Sequence, residues 1–220
     1  MKRRHLLQGG LWLVTGGVTG IARAGDTVDW FRYIELDLAR DVRQMLAEGF
    51  DVNTLSPRGQ SGLYLALREG SLAVAAVLLA APGIAFDAPN PAGETPLMMA
   101  AMKGHVALMA QLMAMGAQVN RRGWTPLHYA AAGGQAEAIE LLLSQGADLE
   151  AVAPNGNTPL MMAAGFGTID TTRLLLRRGA DPRPRNQGNR QAADYALSAG
   201  RDGLADELRE AVQSARWQGH

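Results

Sequence analysis

Apolar residues along this chain fall into short blocks that close on glycine: Met113 and Met115 before Gly116, Leu141 to Leu143 before Gly146, Leu174 to Leu176 before Gly179. The closing glycines, Gly49, Gly83, Gly116, Gly146 and Gly179, stand 34, 33, 30 and 33 residues apart. A second series, Leu63, Leu97, Leu127, Leu160 and Ala193, has spacings of 34, 30, 33 and 33, and its three middle members lead into the alanine pairs Ala100–Ala101, Ala130–Ala131 and Ala163–Ala164. Each period therefore reads as a turn followed by two helices. The small residues of the first let neighbouring helices approach closely, and the leucine-rich face of the second is buried. Glycine then takes the left-handed conformation that ends the unit.

The two series overlap, so their irregularities can be located. One residue is added between Leu63 and Gly83, and three are missing between Gly116 and Leu127, where Asn120 runs almost at once into Arg121, Arg122 and Gly123. The connection there is expected to be stunted. Helix starts are marked by Thr95-Pro96-Leu97, Thr125-Pro126-Leu127-His128 and Thr158-Pro159-Leu160. Thr accepts a hydrogen bond from an early unpaired amide, and Pro costs nothing where its nitrogen has no helical partner. A Thr-Pro-Leu-His phrase followed by Ala, at a period near 33, resembles the ankyrin-repeat family.

That resemblance implies an all-α solenoid of about six stacked helix-turn-helix units with short β-hairpin-like fingers. The units begin near residues 28, 61, 95, 125, 158 and 191 of a domain spanning 26–213, with 214–220 as a tail. Trp30, Phe31, Tyr33, Ile34, Val42, Met45 and Leu46 form a degenerate first unit. The second starts at Ser61-Gly62-Leu63, where capping is expected to be weaker, and its Pro82 is expected to end the second helix early. The last unit carries Arg201, Asp202, Asp206, Glu207, Arg209 and Glu210 on an outer face suited to a C-terminal cap.

Charge changes this picture at the N-terminus. The formal balance is zero, 21 basic against 21 acidic residues, but Lys2, Arg3, Arg4 and Arg23 precede every acid. The remainder carries 17 basic residues against 21 acidic ones, which offers no global attraction to nucleic acid or an anionic membrane. The same basic start, a mildly apolar stretch from Leu6 to Ile21 and the Ala22-Arg23-Ala24 sequence read as an export signal cleaved after Ala24. Adjacent Arg3 and Arg4 resemble the twin-arginine class. Leu6 in place of its usual Phe leaves the general secretory route open, and an uncleaved anchor is the bland alternative. The expected destination is the bacterial periplasm, with no stable membrane insertion after cleavage and a monomeric chain. No cysteine occurs, so disulfides, thiol catalysis and cysteine metal ligands are excluded.

No pattern points to a catalytic, cofactor or metal site, and no enzyme is expected. His128 belongs to the repeat phrase and His105 to a Gly-His helix start, with no carboxylate at ligand spacing from either. No serine lies in a Gly-x-Ser-x-Gly elbow. The pair Gly133–Gly134 reads as a turn between helices. The many methionines read as adaptable core filler; a Cu(I) or redox role for them is the alternative.

Resemblance to the family implies that another protein binds a concave surface built from finger tips and first-helix ends. On this chain those positions assign contacts to Trp124, Arg121, Arg122, Phe166, Met102, Lys103, Glu94 and Asn157. Trp124 either contacts a partner or packs over the shortened connection. A holding factor with a methionine-rich surface, or a regulator of a periplasmic enzyme, is the competing function.

Overall fold

The computed structural model describes residues 24–217, with side chains from 25 to 214; the stretch read as an export signal, up to Arg23, and the terminal His220 lie outside the described residues. Twelve helices follow one another among the described residues: α1 (Ala24–Glu35), α2 (Ala39–Ala47), α3 (Gly62–Glu69), α4 (Leu72–Leu79), α5 (Pro96–Lys103), α6 (Val106–Ala114), α7 (Pro126–Gly133), α8 (Ala136–Ser144), α9 (Pro159–Phe166), α10 (Ile169–Arg177), α11 (Ala192–Ser198) and α12 (Asp202–Trp217). They form antiparallel pairs, and the last runs on through part of the segment read as a tail.

Two layers result. Odd-numbered helices from α3 to α11 stack on one another, and even-numbered helices form a second layer that touches less closely. Alanine makes the difference: Ala100, Ala101, Ala130, Ala131, Ala163 and Ala164 are fully buried between first helices. At two places even a methyl group is too large. A Cβ on Gly133 would run into the carbonyl oxygen of Met102, and one on Gly167 into that of Ala131. Packing tightest on one side bends the stack toward it, so the first helices line the concave side.

Leu97, Leu112, Leu127, Ile139, Leu142 and Leu175 occupy a continuous core that runs the length of the stack. The unit-ending glycines all take positive φ, from 75° at Gly83 to 102° at Gly116, as their position requires. Helix α4 stops at Leu79, one residue shorter than α6, α8 and α10, ahead of Pro82.

Capping differs from expectation in two units. Ser61 is no weaker a cap, since its Oγ accepts from the Tyr64 amide at 3.2 Å, as Thr95 Oγ1 does from Met98 at 3.3 Å. Thr125 instead turns its hydroxyl to His128 Nδ1 at 2.9 Å.

Candidate functional site

Five connections fold back as fingers against the first helices. Four close through a tight turn: the Gly59, Gly93, Gly156 and Asn189 amides donate to Ser56, Asn90, Ala153 and Asn186 carbonyls at 2.7–2.9 Å. The first also forms an antiparallel bridge between Leu55 and Ser61. The third finger, shortened by the deletion, has no such hydrogen-bonded turn among the described residues.

That deletion breaks the row of finger tips. A Cβ at Gly59 would meet Pro91, one at Gly123 would touch Pro154 at 3.5 Å, and one at Gly156 would meet Asn186. At Gly93 it would meet nothing within 4 Å. The second and third fingers therefore part, while their neighbours touch.

Behind the break lies a polar bridge. Glu94 accepts the Tyr64 hydroxyl at 2.6 Å, the Tyr129 hydroxyl at 2.9 Å and the Asn90 amide at 2.9 Å, which links three consecutive units. Burial alone would raise the Glu94 pKa; the hydrogen bonds from Tyr64, Asn90 and Tyr129, with the nearby Arg68 charge, outweigh it and hold the carboxyl below its ordinary value. Both phenols are pushed up, first by burial and then by the carboxylate they donate to. This is an ionised acceptor with its donors already in place.

Trp124 is half-buried. Its ring stands edge-on to His128 at 5.2 Å and to Tyr129 at 6.4 Å, filling space beside the short finger. Arg121 turns away to Asp87, donating to the carboxylate at 3.1 Å and the carbonyl at 3.4 Å. Asn157 is buried and accepts from both Asn186 (2.8 Å) and Tyr195 (2.9 Å), so it fixes the last finger. Glu94, Arg121 and Asn157 thus have internal partners.

The remaining predicted contacts face outward on the concave side. Phe166 is 62 % exposed and Met102 39 % exposed, at corresponding ends of α9 and α5. Lys103, next to Met102 in the chain, and Arg122 on the third finger are exposed as well. Tyr195 and Arg190, which the sequence reading did not single out, extend this surface: Tyr195 lies 6.4 Å from Phe166, and the Arg190 guanidinium stands 4.2 Å above its ring. Both sit in the last, least regular unit, where the repeat phrase had faded.

Most other candidate groups are structural. His128 is fully buried; its Nδ1 accepts from the Thr125 amide at 3.2 Å, which leaves the proton on Nε2 to donate to the Asn157 carbonyl at 3.0 Å. Burial lowers its pKa, outweighing the opposing hydrogen bond to Asn157 and the Asp148 charge. His105 Nε2 reaches the Leu67 carbonyl at 3.2 Å. Met98, Met99, Met109 and Met161 are buried in the core, whereas Met45, Met113, Met115 and Met162 are half-buried and Met102 is exposed. Among the described residues, no three His, Asp or Glu side chains gather as metal ligands, and no helix is long and apolar enough to cross a membrane.

Comparison with known families agrees with this architecture. A family described as ankyrin repeats in three copies matches residues 35–120 and again 63–153, and a single ankyrin repeat matches 155–187. No curated protein matches the chain. With well over half its residues accounted for by these matches, and with the paired helices, fingers and Thr-Pro-Leu-His junction in place, the chain belongs to the ankyrin-repeat family.

Proposed function

We propose that this protein is a non-enzymatic recognition module of the bacterial periplasm that holds a partner protein on its concave face. Ankyrin repeats are protein-interaction modules, and a rigid scaffold needs little ordering when it binds. The observation that carries the assignment is the pair of outward apolar side chains, Phe166 and Met102, on an inner face where Glu94 and Asn157 are held in internal networks. Exposed aromatic anchors of this kind dominate interface energies.

Export is supported by the basic start at Lys2 to Arg4, the glycine-interrupted apolar stretch and the small residues Ala22 and Ala24. N-terminal sequencing of the chain from a periplasmic fraction should begin at Gly25; recovery from the cytosol with the initiator end intact contradicts export. Recognition is tested by affinity capture from periplasmic extract. The Met102→Ala, Phe166→Ala double variant should keep the wild-type melting temperature and lose about tenfold in partner recovery. Equal recovery would remove this face as the contact surface.

A further inference from the structure

Charge on the concave face is unlike charge on the rest of the molecule. Of the 21 basic residues, four precede residue 24, so the described chain carries 17 bases against 21 acids. Yet its inner face is basic. Arg58, Lys103 and Arg122 are exposed there, and among the described residues none of the three meets a carboxylate. Farther along, Arg185 donates to the Asn189 carbonyl and Gln191, and Arg190 to the Asp194 carbonyl and Ser198, again neutral groups.

The acids of the same face are already occupied. Glu69 is paired with Arg68 at 2.6 Å, Glu94 is held by two phenols, and Asp194 accepts the Gln191 amide at 2.7 Å. The excess of acid lies elsewhere, as with Glu137 on α8 and Asp202, Asp206 and Glu210 on α12. Unanswered charge facing the partner side is therefore positive. Among the described residues adjacent finger tips part at one place, between Gly93 and Gly123, where Arg122 adjoins Gly123 and Trp124 stands beside the break.

Resting on the recognition reading above, we infer that the partner presents an acidic segment with apolar side chains, laid across the break between the second and third fingers. Arg58, Lys103 and Arg122 answer its carboxylates, and Met102, Trp124 and Phe166 take its apolar groups. Complementary charge of this kind steers encounter and excludes wrong partners, and its effect weakens as salt rises. A nucleic acid is the less suitable polyanion here, because the cations stand singly on separate fingers and helix ends of an acidic body, without a continuous stripe to track phosphates.

The test uses the full chain and three labelled probes in fluorescence anisotropy: a glutamate-rich peptide carrying phenylalanines, its lysine-rich counterpart, and single-stranded DNA. The glutamate-rich peptide should bind, more weakly at higher salt, and the other two should not. Charge reversal on the inner face (Arg58→Glu, Lys103→Glu, Arg122→Glu) should weaken it by at least about tenfold. A control with the same change in net charge on the outer layer (Arg40→Glu, Arg43→Glu, Arg177→Glu) should leave it within about twofold.

Preference for either other probe, no binding of the glutamate-rich peptide, or equal effects of the two triple variants would overturn the inference. The recognition reading fails separately. If the inner reversal leaves recovery of the natural partner unchanged while Met102→Ala, Phe166→Ala abolishes it, the face still recognises protein and only its acidic preference is lost.

Discussion

Four equivalent positions, each four residues beyond a unit-ending glycine, clasp one connection to the next, and they fall into two chemical kinds: Asn53 and Asn120 against Asp87 and Glu150. Asn53 donates to the Gly83 carbonyl at 2.9 Å and accepts from the Ala85 amide at 2.8 Å. Asn120 does the same with Gly146 and Asp148, both at 2.8 Å. An amide side chain offers a donor and an acceptor together, which is what two adjacent backbone groups require; a carboxylate only accepts. Asp87 therefore takes the Gln118 amide at a long 3.4 Å, draws in Arg121 as a substitute donor and leaves its buried Oδ1 without a partner among the described residues. Glu150 accepts the Asp181 amide at 2.8 Å and donates nothing. The lesson is that Arg121 repairs a clasp, whereas its neighbour Arg122 remains on the surface.

The strongest way to break this comparison is at the junction where a second link backs the asparagine. His128→Ala removes a buried ring and leaves the Thr125 amide and Asn157 carbonyl unpaired, so urea unfolding should show a loss of about 2 to 4 kcal/mol. Next comes Asn120→Asp, which deletes the donor to Gly146 and keeps the acceptor. It should cost about 1 to 2 kcal/mol in the same assay, bringing this clasp down to the level of the acidic ones.

A double-mutant cycle sharpens the Asp87 side. Arg121→Ala should cost about 0.5 to 1 kcal/mol in the natural chain and close to nothing once Asp87→Asn supplies its own donor. Equal costs in both backgrounds would mean that Arg121 is no substitute donor.

The smallest effect is expected at Glu150. Burial raises its pKa, the Asp181 amide opposes this, and the Asp181 and Asp148 charges add to it. A raised folded pKa means that the folded chain holds the proton more tightly than the unfolded chain. Stability from this group is then complete below the ordinary value of 4.5 and is lost as pH rises through the folded value. Glu150→Gln should accordingly stabilise the protein at neutral pH by less than about 1 kcal/mol, and the gain should vanish in thermal melts run below pH 4.5.

The architecture was legible because it rests on periodic residues: Leu127, the Ala130–Ala131 pair and Gly146 each recur at one spacing and do one job. Three missing residues likewise located the short third finger before any geometry was known. The concave surface was legible only in outline. Position alone put Glu94 and Asn157 among the contacts, but Tyr64, Tyr129 and Tyr195 consume their polar groups from 30 to 38 residues away. Such pairings depend on how neighbouring units lean on one another, which spacing within a unit does not encode. The clasping series was hidden for the same reason, since Asn53, Asp87, Asn120 and Glu150 share a place without sharing a residue type.

Recognition through the concave layer is most directly tested by photo-crosslinking in cells that make the protein naturally. A benzophenone side chain would be placed in turn at Met102 and Phe166 on the inner face and at Ala76 and Glu137 on the outer layer. One and the same protein should be captured from both inner positions and from neither outer one. Capture from the outer positions, or equal capture from all four, would contradict the account.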